Sequence, residues 1–177
     1  MGDLSGIKKM NIRLAEEKDI PQIARLYVTN WISTYTGLLP KSYLDTLSVE
    51  EKRESWKKYI KESRQGIFVA VEDEFVLGFA AFKPYHRVDD CIYLDSLHVN
   101  QSHQRKGIGT ALIQAVYQQG LKEGYGKMGV CVVKGNDDAR SLYIKLGADH
   151  FRDKVDDFTG ELTYSEILLW EYPKNVQ

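Results

Sequence analysis

The chain has 177 residues and a formal net charge of −1, with 43% hydrophobic and 28% charged residues. That size fits one soluble domain with a real core, and the balanced charge gives no global reason to bind nucleic acid or an anionic membrane. Residues Met1 to Met10 lack the apolar centre of a secretion signal, and no stretch reaches the roughly 18 apolar residues of a membrane span.

Asn11 to Ala15 alternates and predicts a first strand. Asp19 stands where a helix cap belongs, with Pro21 in the first turn, where its missing N–H costs nothing. Ile20, Ile23, Ala24, Tyr27 and Trp31 recur at helical spacing, so an amphipathic helix is predicted to about Ser33, broken by Gly37–Pro40. A second helix is predicted from Ser48 to about Glu62, with Ser48 and Glu51 as a capping box. Ile67–Glu72 and Phe75–Tyr85 read as a hairpin turning at Asp73-Glu74, and Cys91–Val99 extends it into a meander.

A polar loop follows, Asn100 to Lys106, and a third helix starts at Gly107 and ends before Gly124 and Gly126. Met128–Val133 is a candidate buried strand. Asn136–Leu146 is a helix closed by Gly147. Two strands, about Ala148–Val155 and Leu162–Glu171, flank a turn at Phe158-Thr159-Gly160. The order βααβββαβαββ predicts an α+β fold: a mixed, mostly antiparallel sheet of about seven strands, helices on both faces, in one domain spanning 1–177 with its core at about 11–171. Cys91 and Cys131 fall in apolar strand runs, where reduced core thiols are expected, consistent with a cytoplasmic setting.

The segment Gln104-Arg105-Lys106-Gly107-Ile108-Gly109-Thr110 joins a strand to a helix start. Glycine permits close backbone approach, the first helical N–H groups have no internal partner, and the macrodipole adds partial positive charge. With Arg105 and Lys106 alongside, this is a site for a pyrophosphate. A Walker A loop would place its lysine after the glycines, and a dinucleotide fingerprint would need a small residue where Leu112 stands.

The segment resembles instead the Gln/Arg-x-x-Gly-x-Gly/Ala signature of the GNAT acetyltransferases. Leu97-His98-Val99 stands before it like the family's Leu-x-Val strand end. Asn136, Ala139, Tyr143 and Gly147 resemble the family's later Asn…Ala…Tyr…Gly segment. The resemblance runs from about Asn11 to Glu171. It implies a bulged strand, splayed from its neighbour, whose backbone at Leu97, His98 and Val99 meets the pantetheine arm of acetyl-CoA. Gln104 to Thr110 (Arg105, Lys106, Gly107, Ile108 and Gly109 between them) would hold the pyrophosphate, and Asn136 the arm's other side. No metal is implied.

The same resemblance makes Tyr143 the acid that protonates the leaving thiolate, with simple packing as its alternative role. The N–H of Leu97 or a neighbour would serve the oxyanion. Tyr93 stands where family members often carry a glutamate, so Asp95 is expected to accept the amine's proton through water, facing the same side as Tyr93 and Leu97. The His98 side chain is expected on the opposite face, structural or at the surface. Trp31, Tyr35, Leu38, Tyr43, Tyr85, His86 and Arg87 are either acceptor-pocket wall or ordinary core. Asp89 and Asp90 either attract a cationic amine or are solvated turn residues. The acceptor is a small-molecule, peptide or protein amine, and assembly into a homodimer stays open. A non-catalytic acyl-CoA sensor and a transferase of longer acyl groups are the alternatives.

Overall fold

The computed structural model describes residues 9–158 and 160–173; residues 1–8 of the segment read for a secretion signal, and Thr159 of the last turn, lie outside it. Strand β1 (Asn11–Leu14) pairs antiparallel with β2 (Gly66–Glu72), which continues through β3 (Phe75–Pro84) into β4 (Cys91–Val99). Helix α4 (Ile108–Lys122) then crosses over to β5 (Lys127–Val133), which lies parallel to β4. β7 (Glu161–Glu171) and β6 (Asp149–Phe158) complete the sheet, in the order β1-β2-β3-β4-β5-β7-β6. This is the α+β mixed sheet expected from the sequence.

Strand alternation sorts the core into two layers. Val69, Val71, Phe79 and Ala81 pack against α1 (Ile20–Tyr35) and α3 (Val49–Tyr59). Ala70, Ala80 and Phe82 face the other way, onto α4 and α5 (Asp137–Lys145). Helix α2 (Lys41–Leu44), a single turn between α1 and α3, was not foreseen.

Local chemistry accounts for most element ends. Ser48 Oγ accepts the Glu51 N–H at 3.3 Å, capping α3 as expected. Asp73 and Glu74 both take positive φ, 47° and 68°, the pattern of a tight hairpin turn. Gly124 (φ 83°) follows the last turn of α4 in the left-handed conformation, and Tyr125 N–H closes back on the Gly120 carbonyl. Asp19 departs from expectation: it heads α1 but makes no side-chain cap there. Its buried carboxylate instead receives Arg13 at 2.7 Å and the Glu16 N–H at 2.8 Å, tying β1 to the helix start.

The β3–β4 ladder carries one irregularity. Ala81 pairs with Ser96 and Phe82 with Leu94, so Asp95 is an extra residue in β4, a β-bulge. The bulge reverses the expected alternation beyond it. Tyr93 pairs with Lys83, and Asp95 reaches Lys83 at 3.7 Å, so these two share the face covered by α1 and α3. Leu97 packs on the α4 face instead of beside them. His98 in turn joins the Tyr93 face rather than the opposite one: its ring is buried between Tyr27 and Phe79, 5.3 and 5.4 Å between ring centroids.

Burial pushes the His98 imidazole down to about 3. Unfolded, it would titrate near 6.5, so between these values the unfolded chain binds the extra proton, and stability falls as pH is lowered through that window. The expected slope from this group is up to ~1.4 kcal/mol per pH unit. Denaturant melts of the protein and of His98→Phe from pH 7 to pH 4 should diverge as acid is added, with the variant losing less; parallel curves would assign the acid sensitivity elsewhere.

Candidate active site

β4 and β5 pair only from Cys91 with Lys127 to Leu94 with Val130, and then part. The parting begins at the bulge. Beyond it, Asn100 N–H donates to Leu77 O at 2.8 Å, which fixes the alternation of the antiparallel β3–β4 ladder. His98 therefore turns its backbone groups toward β3, and Leu97 and Val99 turn theirs toward the gap. The Val99 carbonyl is already occupied there, by Asn30 Nδ2 at 2.9 Å and Gln104 Nε2 at 3.3 Å. The Leu97 N–H and carbonyl and the Val99 N–H remain for a ligand.

The strand runs on into the anion loop. The Asn100 side chain accepts from Ser102 N–H at 3.0 Å and shapes the first turn. Arg105 and Gly107 take positive φ, 61° and 83°, and α4 then begins. Its first internal bond is Ala111 N–H to Gly107 O, so the N–H groups of Ile108, Gly109 and Thr110 have no helical partner. Gly109 has a φ that any residue adopts. A Cβ there would meet only ordinary contacts, Leu142 at 3.7 Å and Val99 at 3.8 Å. The fold does not demand glycine at this position; the bare backbone faces an open cleft, as a close-approaching phosphate requires.

That cleft holds about 840 Å³ and passes through the sheet at the parting of β4 and β5. It gathers Asp95, Leu97, His98, Val99, Gln104, Arg105, Gly107, Ile108, Gly109, Thr110, Asn136 and Tyr143 along its walls. Lys106 alone of the expected residues is absent from the lining. His98 contributes only from the strand, its ring being packed away. Asn136 heads α5 without capping it, and its side chain is near enough to the Tyr35 hydroxyl to moderate the upward shift that burial gives that phenol.

Tyr143 is buried, its ring edge-on to Trp170 at 5.8 Å, and desolvation raises its hydroxyl well above the ordinary phenol range. It therefore keeps its proton at neutral pH. Asp95 is about one quarter exposed, beside Lys83 and within electrostatic range of Lys52. The buried Tyr59 hydroxyl lies near Asp95 as well. Cys131 is half-buried on the cleft wall, unlike fully buried Cys91, and burial raises both thiols, Cys91 to about 12.

Among the residues read as pocket or core, Trp31, Tyr35 and Leu38 line the cleft. Tyr43 meets Phe158 at 4.7 Å, so α2 touches the β6–β7 hairpin. Asp89 and Asp90 form a turn at the far end, where the Asp90 carbonyl accepts from Gly126 and Lys127 N–H. Sequence reasoning missed Asn30. Its only signal was a lone amide at core spacing in the apolar stripe of α1, three residues after Tyr27.

Residues 25–148 match the model of the acetyltransferase (GNAT) family. The uncharacterized N-acetyltransferase YuaI of Bacillus subtilis (strain 168) is 32% identical over 130 residues, 72% of this chain and 73% of its own. The PaiA N-acetyltransferase from Thermoplasma acidophilum, solved in complex with coenzyme A, superposes with a TM-score of 0.75 at 22% identity, over 93% of this chain and 99% of that one. A putative acetyltransferase, yncA from Salmonella typhimurium, solved with acetyl-CoA, gives 0.71 at 18% identity, over 95% and 96%. The two solved structures speak to the fold, and the family match and the sequence relative speak to descent. The chain belongs to the GNAT acetyltransferase family.

Proposed function

We propose that this protein is an N-acetyltransferase that passes the acetyl group of acetyl-CoA directly to a primary amine. One observation carries the reading: the free edge of β4 leads straight to the unpaired N–H groups of α4, with the Tyr143 phenol lining the same cleft. An extended arm ending in a pyrophosphate fits that sequence of groups. The Leu97 and Val99 backbone would pair with the arm as an added strand does, and Ile108, Gly109 and Thr110 N–H with Arg105 would hold the phosphates. Gln104 holds the Val99 carbonyl and so fixes the loop against the strand. Asn136 would contact the arm from β5's side.

Acetyl-CoA supplies an activated thioester when bound. The protein's part is orientation and proton traffic. Leu97 N–H would donate to a developing oxyanion. Asp95 takes the amine's proton through water. Tyr143 donates to the departing sulfur, which its raised phenol can do only because it is still protonated. A reducing, cytoplasmic setting belongs to this reading, supported by two unpaired thiols. The first test is thiol release from acetyl-CoA across a panel of amines.

Gly109→Glu puts bulk and negative charge at the anion site of a fold that tolerates the Cβ. Calorimetry should show coenzyme A affinity falling at least ~10-fold with the melting temperature kept; unchanged affinity would remove the phosphates from α4. Neither cysteine is expected to carry the acetyl group, because burial disfavours both thiolates. Intact mass after labelled acetyl-CoA should show no adduct, whereas an acetyl-cysteine discharged by amine would establish a two-step route. Tyr143→Phe keeps the packing against Trp170 and removes only the hydroxyl. Its kcat should drop at least ~10-fold, and by up to the ~10²–10⁴-fold usual for general acids, with acetyl-CoA affinity nearly unchanged. A fully active variant would assign the proton to water.

A further inference from the structure

The opening between β4 and β5 is roofed on the side where Asp95 lies. Asn30 of α1 bonds the Val99 carbonyl on one lip at 2.9 Å. On the other lip Leu38, in the turn after α1, packs directly on Gly135. The segment between these anchors spans the gap, and Trp31, Thr34 and Tyr35 line the cleft from it. Trp31 is the centre of a run of rings. Its centroid lies 4.6 Å from Tyr35, 5.4 Å from Tyr27 and 6.1 Å from Tyr43, and Tyr43 meets Phe158 of the β6–β7 hairpin. Tyr27 is buried, as core is, but Trp31 and Tyr35 stay half-buried and face the cleft. Their planes are tilted by 49°, a shape that offers a third ring an offset or edge-on contact.

Charges are few on this side. Among the described lining residues that α1, β4 and β5 supply, Asp95 alone is ionised at neutral pH, since the His98 ring is packed away between Tyr27 and Phe79. Two ammonium groups stand behind the wall. Lys83 pairs with Asp95 at 3.7 Å, and Lys52 lies over the Tyr27 ring at 4.6 Å. A second cation on the acceptor would meet both. A carboxylate tail would meet Asp95, with Lys83 already engaged. An uncharged aromatic body would meet indole, phenol and leucine, and would leave water as it entered. With the arm of acetyl-CoA laid along the edge of β4 toward α4, the α1 side of the opening is left to the acceptor.

We infer that the acceptor is a primary monoamine with an aromatic body, its nitrogen at Asp95 and its ring on Trp31 and Tyr35. The inference rests on the acetyl-transfer reading and narrows its acceptor. Trp31 is then a specificity-determining residue. It addresses the body of the acceptor, and so KM, while the groups that move protons address its nitrogen.

The test follows thiol release from acetyl-CoA with 4-phenylbutylamine against butylamine, whose nitrogens are of similar basicity, and with cadaverine and 5-aminopentanoate against pentylamine. The phenyl compound should show kcat/KM at least ~10-fold above butylamine, chiefly through KM, as burial of one ring supplies. Neither the diamine nor the amino acid should exceed pentylamine. Trp31→Leu should bring the phenyl-to-butyl ratio below ~3-fold with coenzyme A affinity kept, and Trp31→Phe should restore most of it. A Trp31 that merely packs would change both amines alike and leave the ratio intact. Trp31→Met stands in if Trp31→Leu does not fold. Equal use of butylamine, a preference for cadaverine or 5-aminopentanoate, or a ratio that survives the substitution overturns the inference. So does a loss of coenzyme A affinity in the variant with the ratio unchanged, which would give Trp31 to the arm. Calorimetric titration of 4-phenylbutylamine and butylamine into the unsubstituted protein with coenzyme A reads the ring preference without turnover. Ring preference there without thiol release from any amine would overturn acetyl transfer and uphold the ring site; thiol release without that preference would overturn the ring site alone.

Discussion

The site depends on one extra residue. Asp95 bulges from β4, and from that point β4 and β5 no longer pair. A strand that parts from its neighbour leaves N–H and carbonyl groups with no partner, and each such group costs about 1–3 kcal/mol if it is buried dry. Here they open on a cleft, so water satisfies them until a ligand does. Asn30 takes up the carbonyl that the loop would otherwise strand, reaching from α1 to the end of β4. The same bulge turns Leu97 onto the α4 face and keeps Asp95 on the other, so in the proposed reaction the oxyanion donor and the proton acceptor would address two sides of the sheet.

The rest of the fold holds this opening in place. α4 lies across the sheet on Ile108, Leu112, Ile113 and Val116, all buried, and this anchors the helix end that faces the cleft. Its left-handed Gly107 allows the loop to turn sharply from strand to helix. α5 is tied down by a polar contact instead. The nearly buried Glu166 of β7 takes both Arg140 of α5 and His150 Nδ1 of β6, and Arg140 chiefly holds its carboxyl below the usual range. That pairing fixes the helix that carries Tyr143 against the last two strands.

How much of this was readable beforehand follows from the range of each interaction. Local signals read well: the Ser48 cap, the Asp73-Glu74 turn, and the glycines after α4 and α5 each depend on residues within a few positions. The glycine-rich loop was readable for the same reason, since helix-end chemistry is local. The bulge was not. CIYLDSLHV reads as one strand in which Asp95 and Ser96 are adjacent polar residues, and only the register against β3 shows that Asp95 is the supernumerary one. Every side assignment made past it, for Leu97 and His98, inherited that error. Asn30 and the Glu166 cluster stayed hidden because their partners lie 16 to 69 residues away. Asp19 read as a cap because nothing in its neighbourhood announces Arg13 as the stronger claimant.

The short seam between β4 and β5 has a mechanical side. Four residue pairs join one leaf of the sheet, β1 to β4, to the other, β5 with β7 and β6. Beyond that seam the leaves are bridged through side chains, Leu38 over Gly135 and Tyr43 on Phe158. An extended molecule lying in the opening touches both leaves along its length. Such a molecule would act as a clasp, tying the two leaves together for as long as it stays bound.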